Sequence, residues 1–172
     1  MRSMYPLPVC PIVTTSIGAA LPSNNTTANV GAVMLPSPIT VNKILYNVSG
    51  AGNAADVVRI VIYSEDGQTK YYDVTDAVGA ATGVRTIDVT DLQLDAGNYY
   101  SLIGHGTYLT TPVSVTVWRY DTTLNAHIAG EPDLSGTLTV AAMTTTAPAT
   151  IDPTALTTVA SEKIPVIRLL GT

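Results

Sequence analysis

From residue 28 onward, apolar and polar positions alternate with a period of two. In "ITVNKILYNV" (39–48) Ile44, Tyr46 and Val48 fall on one side, while Ile39, Val41 and Leu45 fall on the other. In "DVVRIVIYS" (56–64) Val58, Ile60 and Ile62 oppose Val57, Arg59, Val61 and Tyr63. A period of two sends successive side chains to opposite faces of an extended chain, so both segments predict strands. Asp66-Gly67 parts "VVRIVIY" from "KYYDV", and a glycine there supplies the positive φ that a tight hairpin turn requires. Further strands are predicted at 84–90, 98–104, 112–120, 136–143 and 163–169, separated by Gly, Pro, Asn and Thr. About eight short strands at this spacing predict an all-β fold, an antiparallel β-sandwich of jelly-roll-like kind. No window places apolar residues at helical spacing between two caps, and "DVTDAVGAA" (73–81) offers one short helical turn at most.

The first 27 residues break the alternation. Pro6, Pro8 and Pro11 are followed by the polar "SNNTT", which predicts an extended N-terminal arm (1–27) ahead of the β-sandwich domain (28–172). Such an arm is held only by docking on its own domain or on a neighbour, and addition to a free sheet edge is one route. The same prolines interrupt the apolar helix that an export signal needs, so no such signal is expected. No stretch of about eighteen apolar residues predicts a membrane span.

Two tyrosine pairs, Tyr71-Tyr72 and Tyr99-Tyr100, lie in strand context. Adjacent strand residues face opposite ways, so one tyrosine of each pair is expected inside and the other on the outer face. In "PVSVTVWRY" (112–120) Val113, Val115 and Val117 form an inward stripe, which sends Trp118 and Tyr120 outward beside Arg119. Trp, Tyr and Arg are the residues most enriched in interface hot spots. Tyr72, Tyr100, Trp118, Arg119 and Tyr120, with Tyr5 on the arm, are therefore the expected interface residues. The plainer alternative is an aromatic lying against a loop of its own chain.

Composition sharpens the expectation of an interface. Hydrophobic residues make up 46% of the 172-residue chain and charged residues 12%, against the roughly 25% charged that is usual. A surface built from Thr, Ser, Asn and Gly leaves few charges to desolvate when it meets a neighbour. The formal net charge is −5, and the eight Lys and Arg are scattered, without the basic stripe that nucleic-acid binding requires. Cys10 is the only cysteine, so no internal disulfide forms, and between two prolines it reads as a small packed hydrophobe.

Candidate chemistry is sparse. His105 and His127 are the only histidines, and neither stands in a zinc-ligand spacing. Asp88, Asp91 and Asp95, or Asp73 and Asp76, could offer oxygen ligands to calcium but lack the spacing of a calcium loop; solvated acidic turns are the simpler expectation. "SGAGNAA" (49–55) is glycine-rich, yet strands flank it and no helix N-terminus follows to receive a phosphate, so it is read as a flexible connection. No nucleophile motif is present, and Glu65, Glu131 and Glu162 sit in polar turns. Asn47-Val48-Ser49 is formally a glycosylation sequon at a strand end. The expectation is a protein that is not an enzyme and uses no cofactor.

"TVNKILYNVSGAGNAADVVRIVIYSEDGQ" followed by "TGVRTIDVTDLQLDAGNYYSLIG" resembles a β-sandwich domain of tailed-bacteriophage head-decoration, spike and tail-fibre proteins, and "IPVIRLL" (164–170) matches the apolar final strand with an Arg that the family often carries. The likeness covers about 39–120 plus that last strand; the arm and 121–160 are unmatched. It implies a virion structural protein, often trimeric, bound to other virion proteins such as the major capsid protein and placed on the virion surface after assembly in the host cytoplasm. The chain lacks the coiled coil and collagen-like run of long fibres, which favours a capsid decoration protein, head spike or minor capsid protein. The alternative is a tail-fibre, receptor-binding or carbohydrate-binding module in which outward aromatics stack on a host-surface glycan.

Overall fold

The computed structural model describes residues 2–4, 15–108, 110–120, 135–141, 143–157 and 162–171. Twelve strands run in chain order: β1 (Arg2–Met4), β2 (Thr15–Ala20), β3 (Thr27–Leu35), β4 (Ile39–Gly50), β5 (Val57–Ser64), β6 (Lys70–Ala77), β7 (Gly83–Leu94), β8 (Gly97–Thr107), β9 (Ser114–Tyr120), β10 (Ser135–Thr139), β11 (Glu162–Pro165) and β12 (Arg168–Gly171). They form two antiparallel sheets packed face to face, an all-β sandwich as the alternation predicts.

The five-stranded sheet has the order β10-β3-β8-β5-β6. In the seven-stranded sheet β4 pairs with β7 along one edge, and on its other edge meets β12 at residues 41–45 and β9 at residues 48–50. Where β4 and β9 diverge, the C-terminal segment fills the fork, β11 lying on β9 and β12 on β4. Two stretches of the N-terminal segment are strands of this same sheet: β1 pairs with β12 and β2 with β9. Ala19 and Leu21 are buried in the core, so this segment does bury a face, contrary to the reading of 1–27 as lacking one.

The core between the sheets draws on both. Val58, Ile60 and Ile62 of β5 meet Val113, Val115 and Val117, the inward stripe expected at 112–120. The two alternating sets foreseen for 39–48 are corrected: Ile39, Val41, Ile44, Tyr46 and Val48 all enter the same core, and Leu45 is half-buried. A bulge explains this. Val41 pairs with Leu92 and Lys43 with Asp88; between these pairs β4 has Asn42 and β7 has Val89, Thr90 and Asp91. Asp91 takes a left-handed conformation (φ 43°), which a short polar side chain tolerates. Both strands thus change phase at one level, and Leu94, Leu92, Val89 and Ile87 stay inside on β7.

The expected helical turn at 73–81 is also corrected, because β6 continues through Ala77. Its exposed and half-buried residues take an edge position beside β5, where the strand ladder satisfies the backbone that an isolated helical turn would leave unpaired. The Asp66-Gly67 hairpin forms as foreseen, with Gly67 at φ 70°. The predicted strand 136–143 ends at Thr139, and the chain then crosses the outer face of the five-stranded sheet to a short 3-10 turn at Pro153–Ala155. Met143, Ala147, Ile151 and Leu156 of this strap pack on Val30, Val61, Tyr63, Tyr100 and Leu102, making a second apolar layer.

Candidate functional site

The tyrosine pairs occupy opposite faces of the five-stranded sheet, but opposite faces do not mean inside and outside here. Tyr99 enters the core between the sheets and Tyr100 enters the layer beneath the strap; they are 6% and 4% exposed. The expected outward Tyr100 is thus corrected: its own chain covers it. Tyr72 is half-buried against the intersheet core, and Tyr71, at a register shift between β5 and β6, is the exposed member, set edge-on against Tyr99 at 5.5 Å. Trp118, Arg119 and Tyr120 lie in β9, with side chains outside the described residues; Tyr5 and His127 lie wholly outside them.

Three polar networks fasten the fold, and each draws on residues first weighed for chemistry. The Asp73 carboxylate of β6 accepts hydrogen bonds from Arg59 (2.8 Å), Lys70 (3.1 Å), Thr146 Oγ1 (3.1 Å) and the Ala147 backbone N–H (3.0 Å). Arg59 interrupts the apolar run of β5 because its guanidinium is needed here; it is 4% exposed and also donates to Thr145 O (2.9 Å). Burial alone would raise the Asp73 pKa, but the Ala147 and Lys70 hydrogen bonds and the charges of Arg59 and Lys70 outweigh it and hold the carboxyl below the usual range.

Across the open side of the sandwich, Arg85 of β7 grips Asp76 of β6 through two nitrogens (3.0 and 2.8 Å), and the Tyr46 hydroxyl of β4 donates to the same carboxylate (2.8 Å). This bidentate pair ties an edge strand of one sheet to an edge strand of the other. The Arg85 hydrogen bonds lower the Asp76 pKa, and burial is the largest cause raising that of Tyr46.

His105, fully buried on β8, sets the third network. Its Nδ1 stands 2.9 Å from Pro22 O and its Nε2 accepts from the Val113 N–H (3.1 Å), which requires the neutral tautomer with the proton on Nδ1. Burial lowers its pKa, keeping it neutral. This histidine therefore joins the segment after β2 to the residue preceding β9. The glycine-rich connection 49–55 is likewise organised: buried Asp56 accepts from the Asn53 N–H (2.7 Å), and a side chain at Gly52 would strike that carboxylate. The sequon Asn47 donates to Thr116 Oγ1 (2.8 Å) across the sheet.

No cluster of three or more His, Cys, Asp or Glu able to hold a metal occurs among the described residues. Asp88 pairs with Lys43 (3.2 Å) on the surface. A small apolar pocket opens between the sheets, lined by Val33, Leu35, Ile62, Leu94, Tyr99 and Ser101, whose hydroxyl donates to Gly31 O (3.2 Å). No helix among the described residues is long and apolar enough to cross a membrane.

β7 and β6 are edge strands of their sheets among the described residues. β7, twelve residues long, pairs with β4 and with no other strand among the described residues, and β6 pairs only with β5. Val84 on this edge is 69% exposed, the most exposed large hydrophobic described. Thr86, Asp88 and Thr90 follow it on the solvent face. Sequence reasoning passed over this edge because 84–90 was expected to be a strand without any indication of its place in the sheet. Val84, an apolar residue out of phase with the buried Ile87 and Val89, was the available signal.

No family model matches the chain, and no curated protein matches it.

Proposed function

We propose that this chain is a virion structural protein, a capsid decoration protein, head spike or minor capsid protein that binds a capsid lattice and associates with itself. The observation that carries the reading is the β7 edge, which no strand among the described residues pairs, with Val84 exposed on it. A sheet edge without proline or a partner strand is a template for pairing with another chain, and from Gly83 to Asp88, ahead of its bulge, the β7 edge has neither among the described residues. Two further features support the reading. The described Arg59, Arg85, Asp73, Asp76 and His105 are engaged in fastening strands, and the low charge leaves little to desolvate at a contact.

Light scattering of the purified chain across the micromolar range tests it, together with co-sedimentation with expanded viral shells. A symmetric oligomer that binds shells is expected. Replacing Val84 and Thr86 by Lys is expected to shift that oligomer towards monomer while the fold persists, because both side chains point to solvent. Monodisperse monomer with no shell binding overturns the proposal. The carbohydrate-binding alternative rests on Tyr71, 43% exposed and backed by Tyr99; a glycan array blank at millimolar ligand disposes of it.

A further inference from the structure

The strap across the five-stranded sheet is attached unlike the rest of the chain. Strand neighbours share ladders of backbone hydrogen bonds, whereas, among the described residues, 143–151 make backbone–backbone bonds to the body only where Met143 N–H reaches Asn25 O (2.9 Å) and Ile151 N–H reaches Gly67 O (2.9 Å). Between those two ends the strap is held by side chains of the sheet. Tyr63 donates to Pro148 O (2.7 Å), Lys70 to Ala147 O (3.0 Å) and Arg59 to Thr145 O (2.9 Å). Asp73 is the hub, since one of its oxygens takes Thr146 and Ala147 of the strap, and both hold the two cations in place.

We propose that residues 143–151 are an acid-released cover, with the Asp73 carboxylate as the release point. When Asp73 gains a proton, Arg59 and Lys70 lose their common counter-charge and lie as unneutralised cations against an apolar layer. The groups facing the carboxylate are Arg59 of β5 and Lys70 of β6, with the phenols of Tyr63 on β5 and Tyr100 on β8 in the same layer. The strap contributes only hydroxyl and backbone groups, because no residue from 143 to 151 titrates. Since the folded carboxyl titrates below its ordinary value, the attachment is intact at neutral pH and is lost as pH falls through that lowered pKa, on the acid side of the ordinary carboxylate range. Release uncovers Val30, Val61, Tyr63 and Leu102, an apolar sheet face, while the core between the sheets stays closed. The proposal does not depend on what the chain assembles with.

Hydrogen exchange read by mass spectrometry on the full chain tests it, comparing wild type with Asp73→Asn at pH 7. Exchange of the 143–151 peptide is expected to rise about tenfold or more in the variant, with peptides from β4 and β9 unchanged. Equal protection of that peptide in both proteins, or its acceleration only in step with β4 and β9, overturns the proposal. Where Asp73→Asn does not fold, Lys70→Met serves. It is expected to accelerate the same peptide alone, and unchanged protection there overturns the proposal equally.

Discussion

On the outer face of the seven-stranded sheet Thr86, Asp88 and Thr90 stand in solvent beside the half-buried Lys43, Leu45 and Asn47. On the outer face of the five-stranded sheet Val30, Val61, Tyr63 and Leu102 lie under a strap. The strands themselves explain the contrast. β7 alternates apolar and polar residues on either side of its bulge, so one of its faces is fit for water. β5 and β8 are buried along almost their whole length, reading "VVRIVIYS" and "NYYSLIGHGT", and a sheet made of such strands needs a layer on both sides. The strap makes a thin layer: among the described residues twelve buried apolar residues form its cluster, against twenty-four between the sheets.

The contrast can be broken from its strongest side downward. Ile103→Ala, in the intersheet core, is expected to cost about 3–4 kcal/mol by denaturant unfolding, through lost burial and a residual cavity. Gly67→Ala is expected to cost about 1–3 kcal/mol, since its φ of 70° disfavours a side chain and the new methyl would meet Ile151 of the strap. Tyr63→Phe removes the bond to Pro148 O and is expected to cost about 1 kcal/mol, with the loosening confined to the strap peptides. Thr90→Ala on the bare face is expected to stay within about 0.5 kcal/mol of wild type.

A pH series separates the networks. His105 is neutral when folded and its pKa is lowered, so the unfolded chain takes up a proton first as pH falls. Stability is therefore full above about pH 6.5 and declines below it, and His105→Gln is expected to flatten that decline. Asp76, held down by Arg85, contributes at neutral pH and loses its contribution only as pH falls through its lowered pKa. Asp76→Asn is expected to reduce the acid-limb slope without altering the decline near neutrality.

Much of the fold was legible. Period-two alternation located β4, β5, β7, β8 and β9, and Asp66-Gly67 located the hairpin to β6, because both signals are local; β1, β2 and β3 were not marked. The bulge was not: Asp91 adopts a conformation that an aspartate tolerates but does not announce, so the face of every residue from Ile39 to Leu45 was open to error. The strap was hidden for a different reason. Met143, Ala147, Ile151 and Leu156 are scattered among Thr and Pro with no strand period, and they are held by individual side chains instead of a ladder. Tyr100 was misplaced as a consequence, since an outward tyrosine is exposed only when nothing lies over it. The signal that could have revealed the strap was β5, apolar on both faces, with a buried-context arginine in its middle.

The central structural claim is that the five-stranded sheet carries a second apolar layer closed by the strap, and proton contacts measured by NMR in solution test it most directly. Contacts from the Met143 methyl to Gly104 and from the Ile151 side chain to Gly67 are expected at neutral pH, matching the close approaches at both glycines. Tyr63 and Tyr100 rings with the shifts and exchange of solvated side chains, and no contact to residues 143–151, would contradict the account.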